Sequence, residues 1–434
     1  MLPSLQKEPI FKKIELGLIY GIIASFPITY LGIKHGVNSA LYSLTFMCII
    51  SWLILTKNKW ALNLKSLDGV IFLSFSSLFL TTLLSQIARS DFYLASFDGP
   101  SRLLFAGMVF LYLKDKPLPY ISILKIAIPT GILVLLAIIY THPEYSAAWG
   151  GRFASKFVDP NSLGSQTLIL SLICLFLIST NNSLVQNLLL TTGLLASIYI
   201  SIFAGSRGGW IAAPFILGLW VYLKSNTNNK KPVRKLFEFM TLLFFIGLLF
   251  YWTYKNIPMV TSRVDIALQE IIAALTEEIF NTSVGTRIGM WKIATQQLVP
   301  LAGFFGFGEN ALGIVAGNLN LDPQKFSGPI FHLSNTGPHS DLLAKLLTMG
   351  YLGGAAYLAT IFIPWMICWK NRFNASNEKK LAAQIGLCFI SGVFLCGFSN
   401  EMLSLKYLSS FYGLLIATLL AVILRVDPRT NNHE

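Results

Sequence analysis

The chain has 434 residues, 54% of them hydrophobic and only 12% charged, with a net charge of +13. Soluble domains carry roughly a quarter charged residues, so an ordinary globular protein is excluded. The excess lysine and arginine sits in short groups between apolar runs, which suits membrane topology and anionic lipid rather than nucleic acid.

Twelve apolar runs approach or exceed the ~20 residues that cross ~30 Å of hydrocarbon. They lie near residues 14–33, 38–56, 69–87, 92–113, 121–140, 162–179, 184–205, 207–224, 236–255, 339–367, 380–398 and 402–424. In lipid each run must satisfy its own backbone polar groups, as a helix does. The expected class is therefore all-α, a polytopic membrane protein with about twelve transmembrane helices. The first run follows lysines, as a signal peptide would. It is too long for one and no small-residue cleavage site follows, so it is expected to be a retained span.

Lysine and arginine gather on the cytoplasmic side of membrane proteins. Lys7, Lys12 and Lys13 precede the first run. Lys57, Lys59 and Lys65 follow the second, and Lys114 and Lys116 the fourth. Lys224, Lys230, Lys231, Arg234 and Lys235 follow the eighth; Lys370, Arg372, Lys379 and Lys380 follow the tenth; Arg425 and Arg429 close the chain. Twelve spans put all of these on one face, with both termini cytoplasmic. The expected division is helices 1–9 in residues 1–255, an outer loop in 256–338, and helices 10–12 with a tail in 339–434. No internal repeat and no central cytoplasmic connector is evident, which disfavours a transporter. A lipid or solute transporter stays as the alternative from another class.

Several charges stand where a simple bundle has no need of them. Asp98 and Arg102 lie one helical turn apart inside the fourth run, where a charge costs ~2.5–3.5 kcal/mol on insertion scales. They either satisfy each other or face a polar cavity. Arg152, Lys156 and Asp159 precede the sixth run and put positive charge outside, against the usual bias. Arg207 sits in Gly205-Ser-Arg-Gly-Gly209, a tight outer turn. It either snorkels to lipid headgroups or grips phosphate with its planar fork while the glycines admit the ligand.

The outer loop reads as amphipathic. Ser262 to Phe280 repeats Val264, Leu268, Ile271, Ile272, Leu275 and Ile279 on one face, while Glu270, Glu277 and Glu278 remain polar. Ser262 and Asp265 make a weak capping-box start. Thr286 to Val299 is a second helical stretch with Arg287 and Trp291 one turn apart. Both suit interfacial helices on the outer membrane face. Gly303-Phe-Phe-Gly-Phe-Gly308 reads as a flexible connection, followed by a polar stretch through His332. His339 opens the tenth run with Asp341 two residues on. Histidine there is either a structural hydrogen-bonder or, with its ordinary pKa of ~6.5, a proton acceptor. His332 is less constrained.

The five cysteines, Cys48, Cys174, Cys368, Cys388 and Cys396, fall in or at the edge of apolar runs, so no disulfide is expected in the outer loop. No cysteine or histidine cluster suggests a metal. A nucleotide-binding phosphate loop and an Asp-x-Asp pair are both missing. An enzyme of this composition would draw its energy-rich donor from the membrane.

Five motifs in this order resemble the O-antigen ligase and polymerase superfamily of bacterial inner membranes: Asp159-Pro-Asn-Ser-Leu-Gly164, Gly205-Ser-Arg-Gly-Gly209, Gly285-Thr-Arg-Ile-Gly-Met-Trp291, Gly306-Phe-Gly308 and Pro338-His-Ser-Asp-Leu-Leu343. With the twelve-run plan and the outer loop after the ninth run, the resemblance covers nearly the whole chain. It implies a GT-C-like membrane glycosyltransferase of lipopolysaccharide biosynthesis. Such a ligase moves a glycan from undecaprenyl pyrophosphate to lipid A–core on the periplasmic face, without nucleotide, metal or other cofactor. The family's functional arginines would fall on Arg207 and Arg287 and its essential histidine on His339. Ser340 departs from the asparagine frequent after that histidine. Glu401 is the acid nearest the outer end of the penultimate span, where the family carries a functional charge. Substrate contacts are expected from Arg207, Arg287, Arg102, Arg152, Lys156 and Glu401. A polymerase or a protein O-oligosaccharyltransferase with the same donor is the nearer alternative. Glycan identity and oligomeric state are not legible in the sequence.

Overall fold

A computed structural model describes residues 10–55, 63–226 and 232–425. Lys7, Lys57, Lys59, Lys230, Lys231 and Arg429 lie outside the described residues. The described chain is helical, without strands. In order, the elements before the outer loop are α1 (Ile10–Thr29), α2 (Gly36–Leu55), α3 (Leu67–Arg89), α4 (Asp98–Leu113), α5 (Tyr120–Thr141), the single turn α6 (Pro143–Ala147), α7 (Pro160–Leu177), α8 (Leu184–Ala204), α9 (Arg207–Asn226) and α10 (Pro232–Asn256). Then come α11 (Pro258–Thr276), α12 (Ser283–Ile293), α13 (Val299–Ala302), α14 (Glu309–Gly317) and α15 (Pro323–Thr336). The chain closes with α16 (Asp341–Asn371), α17 (Asn377–Cys396) and α18 (Lys406–Leu424).

Helix α18 is the axis of the bundle. Every residue from Leu408 to Ile423 is buried, so it is apolar all round, as a helix enclosed by others must be. It packs on α4 and α17, while α3 joins α4 to α16, and α7 lies against α8, α9 and α17. Polar residues inside pair across helices, as burial favours. Tyr30 donates to Gln166 Oε1 at 2.8 Å and Ser410 to Asn38 Oδ1 at 2.7 Å.

Eight described helices are long and apolar enough to cross a membrane: α2, α3, α5, α7, α8, α16, α17 and α18. This is fewer than the twelve expected, and the shortfall has local causes. Helix α1 carries Lys12, Lys13 and Glu15 near its start. A 3₁₀ turn, Leu94–Phe97, replaces the beginning of the fourth run and leaves α4 with 16 residues. Helices α10 and α11 meet at a bend of 101° and make a ninth candidate only if counted as one broken span. Pro258 at the first position of α11 has no N–H to continue the α10 ladder.

Residues 256–338 differ from the sequence reading in four places, the first being that the expected polar stretch forms helices α14 and α15. Helix α11 starts at Pro258, four residues before the expected cap. Asp265 is instead taken by the Tyr254 hydroxyl at 2.7 Å. Helix α12 begins at Ser283, capped by Thr282, and passes through a π turn, Ala294–Leu298, into α13. The glycine segment 303–308 is a packed joint rather than a loose connection. Phe307 and Gly308 donate backbone hydrogen bonds to Leu347 and Thr348, and Tyr351 donates to Gly303. They do so where α16 breaks its helical geometry at Gly350, with φ 67°.

The two ends of the bundle are chemically distinct. At one end Lys114 pairs with Asp68, Lys116 with Glu15 at 2.6 Å, and Arg425 donates to the Leu118 carbonyl at 2.9 Å. The other end carries the α8–α9 turn, the α17–α18 loop and helices α11–α15.

Candidate functional site

The α8–α9 turn is built by its own sequence. Gly205 caps α8 in the left-handed region at φ 65°, and Arg207 is already the first residue of α9. Beneath it Asp159 caps α7, accepting from the Asn161 and Ser162 amides at 2.8 and 3.1 Å. Arg152 laces the two ends together: Nε donates to the Ala204 carbonyl at 2.9 Å and Nη2 to Asn161 Oδ1 at 2.7 Å. Ser206 donates to the Asn161 carbonyl at 2.8 Å. The Asp159 and Gly205 motifs thus form one platform from residues some 45 apart in the chain.

Over this platform lie α11 and α12, enclosing a cavity of about 230 Å³. Four arginines line it: Arg152, Arg207, Arg263 and Arg287. Glu270 does not line it but stands beside it, 3.4 Å from Arg207. Crowded cations raise one another's cost of staying charged. The Arg152 guanidinium is lowered to about 10, first by burial and then by Arg263, with Arg207 and Arg287 adding to it. Burial and then Arg207 also lower Arg287. An anion entering this cavity would relieve the repulsion. Arg287 Nη1 is held by the Ser283 carbonyl at 3.1 Å, and its Nε is buried with no partner among the described residues.

A second cavity of about 320 Å³ adjoins the first and shares Arg287 and Ser283 with it. His339 and His332 line it with Asn281, Thr282 and Thr286. His339 stands just before α16, in the left-handed region at φ 49°. Its imidazole is held down to about 4, first by burial, then by the Arg287 and His332 charges, so it is neutral near neutral pH. The Thr336 hydroxyl donates to the His332 carbonyl at 2.9 Å and lies 3.5 Å from His339 Nε2. With its proton spent, that hydroxyl faces Nε2 as an acceptor, which favours the tautomer with a free lone pair on Nδ1.

Three contacts fix the unusual backbone at His339. Trp291, one turn from Arg287, donates Nε1–H to the Pro338 carbonyl at 3.1 Å. The Asp341 amide donates to Gly397 at 2.9 Å, and its carboxylate accepts from the Leu403 amide at 3.0 Å. The Glu401 carboxylate lies against Gly337, where any side chain would bring a carbon within 2.6 Å of Oε1. Burial raises the Glu401 carboxyl, with Lys345, Ser404 and the His339 amide pulling against it.

The expected site residues therefore separate. Arg207, Arg287 and Arg152 line one cavity, and Arg287 and His339 the other. Glu401 lines neither cavity and supports the His339 loop from below. Arg102 is 4% exposed and bound to Asp98, which also pairs with Lys406. It faces neither cavity. Of the two accounts of this pair, mutual satisfaction is the one observed, because α4 begins at Asp98 and places the pair at a helix end. Lys156 is exposed and lines neither cavity. His332, given less weight from sequence, shares the His339 cavity, their rings 6.5 Å apart. Arg263 was not singled out at all. It and Glu270 are seven residues apart on α11, so the polar stripe opposite the apolar face carried the signal. Among the described residues no group of three or more His, Cys, Asp or Glu gathers as a metal would require, and all five cysteines are buried and free.

Residues 192–358 match the family model described as O-antigen ligase. That segment runs from α8 into α16 and contains Arg207, Arg263, Arg287, His332 and His339. The match bears out the superfamily resemblance carried by the motifs. A protein of Haemophilus influenzae, described as uncharacterized, is 25% identical over 374 residues, covering 85% of this chain and 89% of its own length.

Proposed function

We propose that this membrane protein of the O-antigen ligase superfamily is a glycosyltransferase. It moves a glycan from undecaprenyl pyrophosphate to a sugar hydroxyl of lipid A–core on the periplasmic face of the inner membrane. The observation that carries the reading is the position of Arg287 in both cavities. An arginine-lined chamber suited to pyrophosphate and a neutral histidine in a polar chamber meet at one guanidinium.

The reaction then follows from the residues. The four arginines bind the donor pyrophosphate, and Arg207 and Arg287 offer paired N–H groups to its oxygens. The acceptor hydroxyl enters the His339 cavity, where Asn281, Thr282 and Thr286 supply neutral hydrogen-bonding groups for a sugar. As the hydroxyl oxygen attacks the anomeric carbon, its proton passes to His339 Nδ1. The bond from that carbon to the phosphate oxygen breaks, and its electron pair leaves on the pyrophosphate. Arg287 and Arg207 stabilise the growing negative charge in a site with little water. One displacement inverts the anomeric carbon and leaves no covalent enzyme intermediate.

Transfer by the purified protein in detergent, from lipid-linked glycan to lipid A–core, tests the reading. The expected result is a capped acceptor, insensitive to chelator and lost in Arg287→Ala. Elongated carrier-linked glycan with no capped acceptor would identify a polymerase instead. Movement of donor across vesicles without a new glycosidic bond would identify a transporter.

A further inference from the structure

An acid beside the arginine cavity, Glu270, holds two groups that line it, Arg207 and the Val284 amide. Glu270 Oε2 lies 3.4 Å from Arg207 Nη1 and accepts the Val284 amide at 3.0 Å. Val284 is in the first turn of α12, an 11-residue helix, whose unpaired amides and positive dipole end favour anions. One carboxylate oxygen thus takes a guanidinium and a helix-terminal N–H together. Meanwhile the Nε of Arg287, on the same helix, is buried without a partner among the described residues.

The charges give this placement a consequence. Without Glu270 the cavity would present four guanidinium groups to its ligand. A sugar–pyrophosphate–lipid donor is a diester with two ionised oxygens. Once the sugar leaves, the product is a monoester and gains a further ionisable oxygen. Four arginines favour the more highly charged product over the donor, and a product held too tightly limits turnover.

We propose that Glu270 is a specificity-determining residue of this cavity. Its carboxylate competes with the ligand for Arg207 and the α12 terminus, and it lowers affinity for the pyrophosphate monoester more than for the diester donor. This rests on the reading of the arginine chamber as the pyrophosphate site.

The test is binding of two short-chain probes to the full-length protein in detergent. One is farnesyl pyrophosphate, a monoester; the other is farnesyl pyrophosphoryl N-acetylglucosamine, a diester. Glu270→Gln removes the charge and retains an oxygen that can accept the Val284 amide. It should tighten the monoester on the order of tenfold and the diester about threefold, within the reach of a half-screened charge a few ångströms away. Glu277→Gln, an exposed acid on the same loop, should change neither. Glu270→Ala, which gives up the amide contact as well, must show the same ordering, so a folding effect peculiar to one variant cannot mimic the result. Equal tightening of both probes, or an equal effect of Glu277→Gln, would reduce Glu270 to a general field and overturn the proposal. Binding that Arg287→Ala abolishes but Glu270→Gln leaves unchanged removes only the role of Glu270. Failure of the unaltered protein to bind either probe removes the donor-site reading and this inference with it.

Discussion

His339, the proposed base, has its protonation state set by burial and its neighbours. Burial and the Arg287 charge depress its pKa to about 4, so the neutral form predominates above that value and only acid removes it. On this basis kcat/KM for transfer should stay level from about pH 8 to pH 5 and fall as pH drops through about 4. An ordinary histidine would give a fall near ~6.5, and a fall there would deny the neighbours this effect. His339→Gln should lose ~10²–10⁴ in rate with donor binding retained; rapid turnover by that variant would leave only positioning and the arginines as catalysts. Arg287→Lys and Arg207→Lys keep the charge and lose the fork, so each should lose ~10²–10³ in kcat, as when one preorganised donor is removed. Ladders close to normal from either lysine variant would argue against paired contacts. Arg207, Arg287 and His339 were picked out through the family resemblance of their motifs, and the structure sets Arg207 and Arg287 on one cavity and Arg287 and His339 on the other. Arg263 and Glu270 were not picked out, since the strong apolar repeat of α11 drew attention to the membrane-facing side. Arg102, also expected to contact substrate, pairs with Asp98 at the start of its helix and lines neither cavity.

At the scale of elements, the site depends on how the outer-loop helices are seated. Helix α12 carries Arg287 towards both cavities and, one turn on, Trp291 towards the loop of His339. Trp291→Phe keeps the ring and loses the hydrogen bond to Pro338. It should lower kcat about tenfold, the order expected when a single positioning contact goes, and leave donor affinity intact. An equal loss in both would place Trp291 in the donor contact itself, since it also lines the first cavity. The α13–α14 joint is tighter. Gly306, at φ 69°, lies so close to α16 that a side-chain carbon would come within 2.4 Å of the Thr348 carbonyl carbon and 2.5 Å of the Gly350 amide. Gly306→Ala must move backbone, and its penalty adds to the left-handed strain of roughly 1 kcal/mol. The melting temperature in detergent should fall well below that of Gly303→Ala, where nothing stands near the added carbon. The glycines were visible in the sequence, but their partner was not: the break at Gly350 lies inside a run that reads as uninterrupted helix. The apolar helices and α11 and α12 were legible from periodicity; α14 and α15 were not, because the stretch they occupy is polar, and the starts of α4 and α11 were fixed by a 3₁₀ turn and a proline that periodicity does not weigh.

Over the whole molecule, charge is sorted between the two ends of the bundle. Lys114, Lys116 and Arg425 meet carboxylates or carbonyls at one end, and the arginine cavity stands at the other. By the rule that lysine and arginine stay on the cytoplasmic side, the proposed reaction has the first end cytoplasmic and the cavities periplasmic, where a carrier-linked glycan would be met. Single cysteines can test this directly, because the five native thiols are all buried and give little background with a membrane-impermeant maleimide. Gln324, at the start of α15, and Glu277, at the end of α11, are exposed and far from the inner bundle. Cysteine at either should label in intact spheroplasts. Ala375, exposed in the turn between α16 and α17, should label only after the membrane is permeabilised. Eight or nine apolar helices do not by themselves fix which end faces outward, so the lysine distribution carries the whole weight of this orientation. Labelling of Ala375→Cys in intact spheroplasts, with Gln324→Cys silent, would put the arginines and His339 in the cytoplasm. A periplasmic acceptor could then never reach them, and the proposed reaction would be lost while the cavities remained.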